Sequence, residues 1–161
     1  GTIATEISDK VKEIHGVDIS SKMIDVAKRK ADEQKITNIV FAQSTIFDER
    51  LKKESFDVVL AFNILHLVED KQKVIKRINE LLKPGGLIIS ATECMGEKKS
   101  FISIFLSLLM RIGLIPSMIR FFKISELEDS ITNEVFQIVQ TECLEHSPVN
   151  YFITAKKIKR I

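Results

Sequence analysis

Gly1–Asp18, GTIATEISDKVKEIHGVD, is the stretch on which the reading of this chain turns. A glycine opens a helical pattern with Ile3, Ala4 and Ile7 on one face, and an apolar run, Ile14-His15-Gly16-Val17, closes on Asp18. A glycine entering a helix, then a strand ending in an acid about 20 residues on, is the back half of a nucleotide-binding crossover. The glycine lets the backbone approach a ligand closely, and the acid accepts hydrogen bonds from both ribose hydroxyls. The strand and the earlier glycines expected ahead of Gly1 are missing from this sequence.

Working outward, the pattern alternates. Thr2 to about Asp9 reads as a helix tail and Val11–Asp18 as a strand. Ser20 and Ser21 offer an N-cap, and Met23, Ile24, Val26, Ala27 and Ala31 mark the buried stripe of a helix reaching about Gln34. Ile39–Ala42 is a short strand. Phe56–Phe62 (FDVVLAF) is nearly continuous in apolar residues, as expected of a parallel strand covered on both faces. Asp70–Leu82 repeats Val74, Ile75, Ile78, Leu81 and Leu82 at helical spacing, and Pro84-Gly85-Gly86 stops it before the strand Leu87–Thr92. A helix over Ser125–Thr132 precedes two strand-like runs, Val135–Leu144 and Tyr151–Ile158, joined by the turn-rich residues His146–Asn150. The fold class is therefore α/β: a doubly wound, mostly parallel sheet closed by a C-terminal antiparallel hairpin.

Composition narrows the function. The 161 residues suit one domain, 1–161, and 45% hydrophobic with 29% charged residues is globular rather than disordered. A formal net charge of +2 gives no electrostatic reason for a nucleic-acid partner, and the basic tail Lys156–Arg160 lacks interleaved aromatics for base stacking. Cys94 and Cys143 lack metal-ligand or disulfide spacing, so no metal is expected and reduced thiols in the cytoplasm are. Residues 98–122 form an apolar helical insert with Phe101–Phe122 at its centre. Gly113 and Pro116 break that stretch into pieces too short to span a membrane. It reads as a cap over an apolar substrate, with core packing, a homodimer face or peripheral membrane contact through 101–122 as its other uses.

In order and spacing, these residues resemble the class I S-adenosylmethionine-dependent methyltransferases. Gly1-Thr2 matches the tail of the glycine loop, and Val17-Asp18-Ile19-Ser20 with Met23 the second strand and its helix. Phe56-Asp57-Val58-Val59 through Asn63-Ile64-Leu65-His66, then Leu81-Leu82-Lys83-Pro84-Gly85-Gly86-Leu87 and the terminal hairpin, follow in the family's order. The resemblance covers most of the chain and is weakest between about 95 and 125. It implies that Gly1 and Thr2 lie against the methionine portion of S-adenosyl-L-methionine, that Asp18 takes the ribose, and that Ile19 and Met23 sandwich the adenine. Asp18 also reads as a helix-capping acid. Thr45 falls where relatives carry an acid for the adenine amine. Its hydroxyl can still accept a hydrogen bond without charge, leaving adenine recognition to backbone groups and Ile46.

Phe62 and Asn63 end the fourth strand of the family's order, at the carboxyl edge where open α/β sheets place ligands. His66 is the candidate general base, with a structural hydrogen bond as its other reading. The implied reaction is in-line methyl transfer to a small, apolar or aromatic acceptor, releasing S-adenosyl-L-homocysteine. A non-catalytic scaffold and an aminopropyl transferase are the alternatives. In this family the first strand lies between the second and fourth. Without it two neighbouring strands would have unpaired edges, so about forty further residues are expected in the natural protein, with strand exchange by a second copy as the alternative.

Overall fold

The computed structural model describes residues 1–94, 123–133, 136–146 and 149–158. The expected insert at 98–122 lies outside the described residues. The chain forms two compact units, Gly1–Leu51 and Lys52–Ile161.

The first unit opens with α1 (Thr2–Glu6) and a 3-10 turn at Ser8–Lys10, followed by β1 (Ile14–Asp18), α2 (Ser21–Glu33) and β2 (Ile39–Gln43). β1 and β2 pair in parallel, from Ile14 opposite Ile39 to Asp18 opposite Gln43. The strand begins at Ile14 rather than Val11, because a 3-10 turn still occupies Ser8–Lys10. The Ser20 hydroxyl caps α2 by accepting from the Met23 amide at 3.3 Å. Ile24, Ala27 and Ala31 are buried, one narrow stripe. The wider stripe expected from sequence is corrected: Met23 is 52% and Val26 48% exposed.

The second unit holds β3 (Phe56–Phe62), α3 (Lys71–Leu81), β4 (Leu82–Glu93), α4 (Ile124–Thr132), β5 (Phe136–His146) and β6 (Val149–Lys157). Its sheet runs in the order β3-β4-β6-β5, parallel between β3 and β4 and antiparallel elsewhere. Inward positions of β4 and β6, Ile88, Ser90, Thr92, Ile153 and Ala155, are fully buried. α3 and α4 cover this face with Ile75, Ile78, Leu81, Leu127 and Ile131. The Ser90 and Thr92 hydroxyls satisfy each other at 2.8 Å, which removes the penalty of burying them singly. Tyr151 donates to Glu128 and so ties β6 to α4. Lys157 Nζ crosses to α3, donating to the carbonyls of Asn79 at 2.7 Å and Leu82 at 2.8 Å. Those carbonyls lack intrahelical partners at a helix end, where a cation is also favoured.

Two expectations change here. β3 is not covered on both faces within this unit: Val58 is 43% and Leu60 38% exposed, because α3 and α4 take the other face. Pro84-Gly85-Gly86 also does not separate α3 from a strand starting at Leu87. β4 begins directly at Leu82, opposite Phe56, and the next ladder pair is Val58 with Leu87. The four residues Lys83–Gly86 thus stand against the single Asp57 and bulge from the strand. Gly85 takes the left-handed φ of +81° that this bulge requires.

Candidate functional site

Asp18 ends β1 at the carboxyl edge, as expected. Its Oδ1 accepts from the Ser20 amide at 2.8 Å, so the carboxylate does help cap the entry to α2. The adjoining backbone is fixed from β2: Ser44 N donates to Asp18 O at 3.0 Å, and Gln43 Nε2 donates to Ile19 O at 3.1 Å. These bonds hold the main chain at residues 18–20 while Ile19 projects outward, 75% exposed. Met23, in the first turn of α2, is exposed as well.

Gly1 caps α1, accepting from the Thr5 amide at 3.1 Å. A Cβ on Gly1 would stand 2.6 Å from Ala27 Cβ. The glycine is therefore required for close approach of α1 to α2, whatever it does for a ligand. Thr2 Oγ1 accepts from Lys30 Nζ at 3.1 Å, a second tie between the same helices.

After β2 the chain turns through Thr45, Ile46 and Phe47. Thr45 is exposed, its hydroxyl accepting from the Phe47 amide at 3.2 Å and its carbonyl from Asp48 N at 3.1 Å. One lone pair of the hydroxyl is thus used by the turn. Ile46 is half-buried. Asp48, which sequence reasoning passed over, clasps this turn. It receives Ser44 Oγ at 2.6 Å, Arg50 Nε at 3.0 Å and Arg50 N at 2.9 Å. The Arg50 side chain above all, then the Ser44 hydroxyl, holds its carboxyl well below the usual carboxylate range. The signal available in sequence was the spacing Ser44, Asp48, Arg50, a serine and an arginine either side of an acid.

In the second unit, Phe62 is half-buried at the end of β3, and Asn63 turns the chain off the sheet. Asn63 adopts φ +51° and donates its amide to Ala91 O at 2.8 Å. Asparagine tolerates that left-handed conformation better than most residues, and such positions cluster at functional sites. Leu65, 1% exposed, anchors the following turn. His66 is half-buried, and its Nδ1 is buried with no hydrogen-bond partner among the described residues. His15, by contrast, stands beside Glu13 at 3.1 Å. A cavity of about 340 Å³ lined by Pro84, Gly85, Gln137, Lys156, Lys157 and Ile158 lies toward the opposite edge of the sheet and includes none of these residues. Among the described residues no helix is long and apolar enough to cross a membrane, and no cluster of three metal-ligating side chains occurs.

The profile of a family described as "Methyltransferase domain" matches residues 1–151. The chain is similar to a ubiquinone biosynthesis O-methyltransferase of Paracidovorax citrulli, 26% identical over 156 residues, covering 92% of this chain and 64% of that protein. A protein of the same name from Coxiella burnetii is 38% identical over 81 residues, covering 49% of this chain and 33% of its own length. This chain thus spans less than two thirds of either relative. A crystal structure of a putative methyltransferase from Bacillus halodurans superposes with a TM-score of 0.80 at 14% identity, covering 99% of this chain and 89% of that one. The carboxyl-edge acid, the mixed sheet with its terminal hairpin and the match across 151 residues place the chain in the methyltransferase-domain family, with the class I fold of the S-adenosylmethionine-dependent enzymes.

Proposed function

We propose that this protein transfers a methyl group from S-adenosylmethionine to a small apolar or aromatic acceptor. The observation that carries the reading is the exposure of Ile19 and Met23, which follow Asp18 in the chain. An isoleucine 75% exposed on a loop fixed by three hydrogen bonds fits a flat apolar base with a ribose next to it. Asp18 Oδ2 takes no hydrogen bond among the described residues and is suited to the ribose hydroxyls. Thr45 and Ile46 would border the base edge, and Gly1 and Thr2 the methionine portion.

Bound S-adenosylmethionine supplies a methyl on a sulfonium, whose thioether is already a good leaving group. The residues therefore contribute chiefly proximity and alignment. A base is needed only where the nucleophile carries a proton, and His66, with Nδ1 unpartnered among the described residues, is the group available to take it. The relatives named for ubiquinone O-methylation support an aromatic acceptor, which suits cytoplasmic small-molecule chemistry.

Calorimetric titration with S-adenosylhomocysteine tests the reading. Micromolar binding that Asp18→Ala abolishes is the expected result. No binding by the intact protein would overturn it and favour a non-catalytic scaffold.

A further inference from the structure

Among the described residues, two buried side-chain polar atoms lack a hydrogen-bond partner, His66 Nδ1 and Asn150 Oδ1. A buried carbonyl left unpaired keeps the cost of losing its water without a compensating bond, so each such atom calls for a reason. His66 has one in the reading above; Asn150 has none.

Asn150 lies at the start of β6. That strand runs antiparallel to β4, so its start sits beside the carboxyl end of β4, with Asn150 opposite Glu93. One pleat repeat inward, Ala91 pairs with Phe152 on one side and Phe62 on the other. Side chains two apart on a strand share a face, and so do ladder partners. Phe62, Ala91, Phe152, Glu93 and Asn150 therefore occupy one face, opposite the one that α3 and α4 bury. All five are half-buried or nearly so.

The arrangement has a definite chemistry. Phe62 and Phe152 flank Ala91 on the two neighbouring strands, about 9.5 Å apart at normal strand spacing. About 7 Å further along lie the Glu93 carboxylate and the Asn150 amide carbonyl, two hydrogen-bond acceptors, of which the buried Asn150 Oδ1 has no donor among the described residues. An apolar ring carrying hydroxyl donors satisfies both parts.

We propose that Asn150 is a recognition residue for the methyl acceptor, its Oδ1 accepting a hydrogen bond from a ring hydroxyl while the ring body lies over Ala91 between Phe62 and Phe152. Glu93 takes a second, neighbouring hydroxyl. The proposal rests on the methyltransferase reading and names the acceptor class for it: a hydroxylated aromatic ring.

Side-chain amide resonances of the ¹⁵N-labelled protein, titrated with catechol and separately with toluene, test it. Catechol is expected to shift the Asn150 amide and toluene to leave it in place. Asn150→Ala should weaken catechol binding about tenfold, the loss of one hydrogen bond to a buried group. Asn150→Asp, which keeps an acceptor there, should recover affinity to within about threefold. S-adenosylhomocysteine affinity should stay within about twofold in both variants. Equal catechol affinity for wild type and Asn150→Ala, or an Asn150 shift of the same size with toluene, would sink the proposal. Failure of S-adenosylhomocysteine to bind would sink the methyltransferase reading instead, and catechol titration without it still decides the role of Asn150.

Discussion

The two units use apolar residues in opposite ways. Lys52–Ile161 sinks them: Ile75, Ile78, Leu82, Ile88, Leu127, Ile131 and Ile153 are almost fully buried between one sheet face and two helices. Gly1–Leu51 buries Ile24, Ala27 and Ala31 along α2 but leaves Ile19, Met23, Val26 and Val40 half-exposed or more. Much of its hydrogen bonding instead fixes turns at the carboxyl edge of β1 and β2, through Asp18, Ser20, Gln43, Ser44 and Asp48. Exposed hydrophobes on pinned loops are what a ligand platform needs, whereas buried hydrophobes between layers are what a scaffold needs. The same residue type therefore answers to different tests in the two units.

The strongest test is a cavity. Ile153→Ala, at a position with no exposure between β4, β5 and the helices, should destabilise by about 3 kcal/mol, read from the urea midpoint. An effect below about 1 kcal/mol would break the distinction between scaffold and platform. Ile19→Ser should do the reverse, leaving stability within about 0.5 kcal/mol while weakening S-adenosylhomocysteine about tenfold by calorimetry. Tyr151→Phe removes the bond from β6 to Glu128 and should cost about 1 kcal/mol in thermal unfolding.

The smallest effect concerns pH. Asp48 is held ionised by Arg50 and Ser44, so its folded pKa lies below its unfolded one. Its contribution is present above about pH 4, the ordinary unfolded value, and is lost as pH falls through the folded value. Urea unfolding between pH 5 and pH 2 should therefore show a falling stability that Asp48→Asn flattens. Equal slopes in the two proteins would remove Asp48 as the clasp of the Thr45 turn.

Where physics is local, the sequence was legible. The helical pattern read over Asp70–Leu82 emerged as α3, with Asp70 as its cap, accepting from Lys73 N at 2.9 Å. Phe56–Phe62 emerged with its expected bounds, because no turn residue interrupts the run. Where pairing decides, it was not. Lys83-Pro84-Gly85-Gly86 has the composition of a turn, yet Leu82 is drawn into the ladder by Phe56. Met23 and Val26 fit a helical stripe but lie outside the arc that a two-stranded sheet can cover. The acid at the end of β1 was read from motif order. Asn150 could not be: a polar residue two positions after Pro148 reads as turn, and only the register opposite Glu93 makes it a buried group at the working edge.

Lys157 reaches back 78 residues to the Asn79 carbonyl at the end of α3. During synthesis, at roughly 5–20 residues per second, that helix end would emerge several seconds before the lysine that closes it. α3 thus waits with frayed carbonyls until β6 arrives, and its last turn can lock only when the sheet is nearly complete. A contact so distant in sequence is slow to form and makes the helix end a late reporter of folding. Amide exchange at Leu81 and Leu82 would then follow the docking of the final strand rather than the formation of the helix to which Leu81 belongs.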